Sequence, residues 1–302
     1  MVNPCGVKMN PSAFLTGCVA HKGRDVPIFS VATLPPNAGT VFFARLESDW
    51  IRYSVEVDWA AIAMASIQYS NAVDLLVVAF GVQGQFWELE PGRSAQRIGQ
   101  LPEEVTDITN AVAALDAIWI CGMDRITWKR DSNGKWHDYS APPGTDDDGV
   151  VGFSALAQTG RDSLVAVGWR GEIWWFNESG WDKQDSGSNA NFNGVTAKPH
   201  GEVVVVGDRG AIVEGSIGRW QAYATSAAFN LQDVCYFDGE VFVCSDFEIF
   251  VWRDGVLMPE TRFANHERPG SCMRLRTGKQ FLLCIGEGGV FKFYQGVWGR
   301  II

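Results

Sequence analysis

A β-propeller, an all-β ring of seven four-stranded blades, is the fold class this sequence predicts, and three observations predict it. One pattern occurs seven times along 302 residues: a short, very apolar strand runs into a tight polar turn, and a strand with bulky residues follows. The residues that end the apolar strands are 45, 81, 122, 168, 207, 245 and 286, so successive copies lie 36, 41, 46, 39, 38 and 41 residues apart. A repeat of about 40 residues built only of short strands marks a propeller blade. The apolar strands are also apolar at every position instead of every second one, as a strand must be when both of its faces are covered.

In chain order the apolar strands fall at 40–45, 75–81, 117–122, 164–168, 203–207, 241–245 and 281–286, and each is read as the second strand of its blade. Blade 5 shows the whole unit. An inner strand at 194–198 turns at Pro199-His200-Gly201 into the second strand, 202–207. Asp208-Arg209-Gly210 leads to the third strand, 211–216, and Ile217-Gly218 to the outer strand, 219–223. Val, Ile and aromatic residues in strands, with Gly and Asp between them, are what an antiparallel meander needs. The stretch 60–66 has helix-compatible composition, but its place in the repeat makes it the inner strand of blade 2. Seven blades account for 27–302 as a single propeller domain, which leaves 1–26 as an N-terminal extension of open role. Six or eight blades stay open, because blade 1 is the least regular copy.

Composition narrows the function. With 46% apolar and 20% charged residues the chain is globular rather than disordered. A net charge of -10 argues against nucleic acid as the partner and is compatible with a basic protein. The seven cysteines are odd in number and include no Cys-x-x-Cys pair, so they read as reduced, buried thiols of a cytoplasmic protein. No segment approaches the ~18 apolar residues of a membrane helix. Leu15-Thr16-Gly17-Cys18 matches a lipoprotein box, but only Ala13-Phe14-Leu15 precedes it as an apolar stretch, too little for a signal peptide.

The segment 203–212 followed by Gly218-Arg219-Trp220 resembles the repeat of bacterial BNR-like propellers, a group that includes the photosystem II assembly and stability factors. The segment 164–173 followed by Gly180-Trp181 is a second copy. The likeness covers 150–302 best and the first 100 residues least. It is a likeness of structural repeats, and it implies a fold more than an activity. Those assembly factors carry an arginine cluster implicated in partner binding, so the resemblance points to arginines at the turns. The stretch Asp131 to Trp136 approximates a sialidase-type Asp-box, is one residue short, and does not recur.

The turn after each second strand falls at an equivalent place around the ring. Three consecutive blades put arginine there, Arg125, Arg170 and Arg209, and Trp169 stands beside Arg170. Arginine and tryptophan are frequent interface anchors. These four residues are the candidate partner-binding site. The plain alternative is that arginine tolerates exposed turns and that Asp124 and Asp208 neutralise it locally. The repeated tryptophans, Trp136, Trp181, Trp220 and Trp298 in outer strands and Trp128, Trp175 and Trp252 in third strands, read as blade packing. Asp146-Asp147-Asp148 lacks calcium-loop spacing, and His21, His137, His200 and His266 lack zinc spacing, so no metal is expected. No nucleophile elbow, phosphate loop or dinucleotide fingerprint is present, and no catalytic residue or cofactor is expected.

The expected role is therefore non-catalytic protein recognition by a cytoplasmic propeller, without a nucleic-acid or membrane partner. The preferred form is a bacterial immunity protein that masks a toxin domain, and the acidic charge suits a basic one. An assembly factor for a protein complex and a glycan-binding or glycan-cleaving propeller are the alternatives.

Overall fold

The computed structural model describes residues 14–22, 24–32, 39–46, 49–70, 75–90, 95–144 and 149–302. Their named strands form seven four-stranded antiparallel sheets, each a meander of four consecutive strands. The sheets span 14–57, 63–100, 108–138, 153–184, 192–223, 231–259 and 274–300. The first strand of every sheet lines a central channel. These inner strands pack on one another in chain order. Phe14–Lys22 of blade 1 touches both Ala63–Gln68 of blade 2 and Arg274–Thr277 of blade 7, which closes the ring.

The unbroken apolarity of the second strands has a direct cause. In Val203–Gly207, Val203 and Val205 face blade 4, whereas Val204 and Val206 face blade 6. Side chains of a strand alternate between its faces, so a strand between two neighbours buries both sets. Each buried valine stabilises by roughly 1.5 kcal/mol or more. Among the described residues the core divides into seven apolar clusters, one at each seam between blades. Trp128, Trp175, Trp252 and Trp298 are buried in these seams, and Trp136, Trp181 and Trp220 are half-buried against them.

Blade 1 departs from the expected phase. Thr40–Leu46 is its third strand, because Phe14–Lys22 and Arg24–Ala32 precede it in the same sheet. The division expected between residues 26 and 27 falls inside Arg24–Ala32. From Phe14 onward, the stretch expected to be an extension builds the first blade. Both Arg24–Ala32 and Thr40–Leu46 bury aromatic residues, Phe29, Phe42 and Phe43. Apolarity alone therefore does not tell the second strand from the third. Residues 1–13 lie outside the described residues.

Each blade uses consecutive strands, so the two ends of the chain do not pair within one described sheet. Side chains close the ring instead. Arg276 Nη1 donates to Asp233 Oδ2 at 2.9 Å, and its Nε donates to the Gly17 carbonyl at 3.1 Å, which ties blades 6, 7 and 1 together. The same carboxylate oxygen accepts from the Leu275 amide at 3.0 Å. Asp233→Asn removes the charge that holds Arg276. It is expected to lower the unfolding free energy by roughly 1–3 kcal/mol in urea titrations. An unchanged midpoint would show that the apolar seam closes the ring alone.

Cys18, Cys121, Cys235, Cys244, Cys272 and Cys284 are free and buried, and Cys5 lies outside the described residues. Burial pushes the Cys18 and Cys121 thiols up from 9.0 to about 12. An unfolded chain ionises these thiols above pH 9 while the folded chain keeps them protonated. Stability is thus expected to hold below pH 9 and to fall as pH rises from 9 towards 12. Chemical unfolding across that range checks the slope. Cys18→Ala/Cys121→Ala should make it shallower without abolishing it, because burial also raises Cys235 and Cys244, and a hydrogen bond with Cys272 together with burial raises Cys284.

Candidate partner-binding face

Strands of a meander alternate in direction, so the turns after second strands and the connections between blades emerge on one face of the disc. Hydrogen bonds stitch the two sets together. The Trp169 amide donates to the Gly152 carbonyl at 3.1 Å, and the Asp208 amide donates to the Asn191 carbonyl at 2.9 Å.

The turns share one backbone design. The Gly81, Gly122, Gly168 and Gly207 amides donate to the carbonyls of Gln85, Ile126, Glu172 and Ala211, four residues on. Counted from that glycine, the third residues are Gln83, Asp124, Arg170 and Arg209, and the fourth are Gly84, Arg125, Gly171 and Gly210. Arg170 and Arg209 sit in the left-handed region at φ 57° and 52°. Side chains from the connection that follows hold them there. The Arg170 amide donates to Asn191 Oδ1 and the Arg209 amide to Asn230 Oδ1, both at 3.0 Å. Ser186 and Thr225 hydroxyls donate to the Gly171 and Gly210 carbonyls at 2.7 and 2.8 Å. Anchored in this way, both arginines and Trp169 stand exposed on the turn face.

Arg125 does not join them, and this corrects the sequence expectation. It occupies the fourth position, where the neighbouring blades use glycine, and the residue equivalent to Arg170 is Asp124. A side chain at the fourth position points at the connection into the next blade. A Cβ on Gly171 would lie 1.8 Å from the Ser188 carbonyl oxygen, and one on Gly210 would lie 2.4 Å from Thr225 Oγ1. After blade 3 that connection is residues 139–152, twice the length of 185–191 and 224–230, and it makes room. Arg125 fills the room and is only 3% exposed. Its Nε donates to Glu172 Oε2 at 3.0 Å, its Nη1 to the Pro142 carbonyl at 2.9 Å, and its guanidinium lies over Trp174 at 5.1 Å. Arg125 is a seam residue between blades 3 and 4.

Asp208 also makes no ion pair with Arg209. Its two carboxylate oxygens accept from Asn191 Nδ2 at 3.1 Å and Asn193 Nδ2 at 3.0 Å. The Arg209 guanidinium makes no hydrogen bond or ion pair with the described residues.

Residues that the sequence reading passed over belong to the same face. Val82, Val150, Phe229 and Phe247 are exposed there, Phe247 at 69%. Phe247 is the third residue of the blade 6 turn, which is one residue shorter because the Ser245 amide bonds the Glu248 carbonyl. The available signal was a large aromatic residue at a turn position held by arginine in the two preceding copies.

The channel offers a different chemistry. It encloses about 380 Å³, and its described lining is mostly small and apolar. The one carboxylate among those lining residues, Asp233, is held by Arg276. Asp131 of the approximate Asp-box accepts from the Asn133 and Lys135 amides and shapes the turn between the third and fourth strands, on the opposite face. Asp146-Asp147-Asp148 lies outside the described residues. Among the described residues, no group of His, Cys, Asp or Glu is arranged to hold a metal ion.

No protein-family model matches the chain. Immune protein Tsi7 of Pseudomonas aeruginosa is 30% identical over 194 residues, a match that covers 63% of this chain and 63% of Tsi7. The match thus spans just under two thirds of that relative. Among solved structures, YCF48 bound to D1 peptide aligns with a TM-score of 0.67 over 97% of this chain and 95% of that chain. At 12% identity this is a likeness of fold, and it agrees with the seven-bladed ring.

Proposed function

We propose that the chain is an immunity protein that binds a toxin domain with its turn face and masks it, without chemistry of its own. The likeness to Immune protein Tsi7 carries this reading. The propeller supports it, since a rigid disc presents many short loops at low ordering cost. Arg170, Arg209 and Trp169 are the side chains proposed to meet the toxin. The net charge of -10 fits a basic toxin domain, because long-range attraction between opposite charges speeds encounter. The repeat is read as BNR-like. No helix of the described residues is long and apolar enough to cross a membrane, and the proposed place of action is the cytoplasm of the cell that the protein protects.

The test is purification of the tagged chain from its native cell, followed by expression of the co-purified protein alone. A protein that arrests growth, and stops doing so when this chain is co-expressed, supports immunity. A stoichiometric but harmless partner sinks immunity and favours the assembly-factor alternative. Release of sugar from glycans by the purified chain would overturn the non-catalytic reading altogether.

A further inference from the structure

The third turn position forms a row around one side of the face: Asp124 in blade 3, Arg170 in blade 4, Arg209 in blade 5 and Phe247 in blade 6. The blade 5 and 6 end of this row is the part with an apolar anchor. Phe247 is the most exposed large apolar residue among those described. Its turn is tied down, because the Phe247 and Glu248 amides donate to Ser245 Oγ at 3.4 and 3.1 Å. The connection between the two blades, residues 224–230, contains no charged side chain and exposes Phe229. Phe229 stacks on Phe250 of the seam below, with ring centroids 5.4 Å apart. Asn230 of the same connection fixes the Arg209 backbone.

Exposed aromatic rings on a tied backbone keep apolar surface in water and lose little freedom on binding, which is the character of an interface anchor. On the same face, with its backbone held by Asn230 next to Phe229, stands a guanidinium without a partner among the described residues, in a chain whose net charge is -10. A planar guanidinium is completed by a carboxylate that bonds it bidentately. Phe247 itself is flanked by acids: the Asp246 carboxylate accepts from Gln232 Nε2 at 2.7 Å, and Glu248 is exposed and repels a second acid.

We propose that Arg209, Phe229 and Phe247 form one docking patch for a partner segment that carries a carboxylate next to a large apolar side chain. The carboxylate lies on the blade 5 side against Arg209, and the apolar side chain lies between Phe229 and Phe247. This deepens the immunity reading and rests on it for the identity of the partner. A toxin domain that is basic overall still needs such an acidic, apolar edge where the patch touches it.

The experiment selects a displayed random-peptide library on the immobilised full chain and sequences the retained pool. The expected pool is enriched in Asp or Glu adjacent to Phe, Leu or Trp. Phe247→Ser should cut recovery of the enriched peptides by ~10-fold or more. Arg209→Glu should replace their acid with Lys or Arg in a fresh selection. Both positions are exposed, and an unchanged thermal midpoint certifies the fold. A pool without acid preference, a pool indifferent to both substitutions, or no enrichment overturns the patch. So does a purified chain that sediments as a dimer and is split by Phe247→Ser, because the occupant would then be a second copy. A harmless native partner would refute immunity and leave the peptide preference standing, so the two failures are distinguishable.

Discussion

Arg125→Ala is expected to lower the unfolding free energy by roughly 3 kcal/mol, the lower end of what breaking a buried ion pair costs. Both side chains of the Arg125–Glu172 pair are 4% exposed. Removing the guanidinium strands a buried carboxylate and leaves the Pro142 carbonyl without its donor. The loss stays at the lower end because Lys183 Nζ lies 3.3 Å from Glu172 Oε1 and keeps part of the compensation. The next seam suggests a rescue. There the equivalent positions are Gly171 and Ala211, with no charge at either. Arg125→Met combined with Glu172→Leu, apolar side chains of similar volume, is therefore expected to recover more than half of the loss, as replaced buried pairs often do. Denaturant titration at constant slope reads both effects. If Arg125→Ala shifts stability by less than about 0.5 kcal/mol, the inward placement of the side chain is wrong.

Reversing both exposed arginines, Arg170→Glu with Arg209→Glu, is expected to weaken binding of the proposed toxin partner by ~100-fold or more, tenfold or more for each anchor. Arg209→Glu alone should change stability by about 0.5 kcal/mol or less, since that side chain reaches solvent from a turn whose backbone is fixed by Asn230. The wild-type association rate should fall with added salt, and the reversed variant, more acidic still, should keep that dependence, so its loss of affinity falls on the dissociation rate. Arg125→Ala is the internal control. It should destabilise the fold yet leave the affinity of the folded fraction unchanged. Calorimetric titration of the purified partner reads the affinities. Equal affinity for wild type and the double reversal would remove these turns from the interface while leaving masking by another surface open to test.

The residues explain how far sequence reasoning reaches here. The blade repeat is visible because burial acts on individual side chains at fixed spacings. Four valines in a row at 203–206 declare a strand with two covered faces wherever it stands. Cysteines inside such runs declare buried thiols for the same reason. Blade 1 misleads because its second and third strands are both apolar, and only sheet pairing tells them apart. Arg125 misleads more instructively. By sequence it follows an aspartate in a turn, as Arg209 does. The widest interval in the repeat, the 46 residues from 122 to 168, lies between it and the next turn. That interval holds the long connection that gives Arg125 its buried berth.

Strand periodicity and the apolar character of the seams were thus written locally, because each depends on side chains a few positions apart in one strand. Which turn residues face water was not. The direction of a side chain at a left-handed turn depends on the segment packed against it from the next blade, and that segment arrives only when the ring has closed. Tertiary structure alone sent Arg125 into a seam, left Arg170 and Arg209 outside, and exposed Phe229 and Phe247 on the same face.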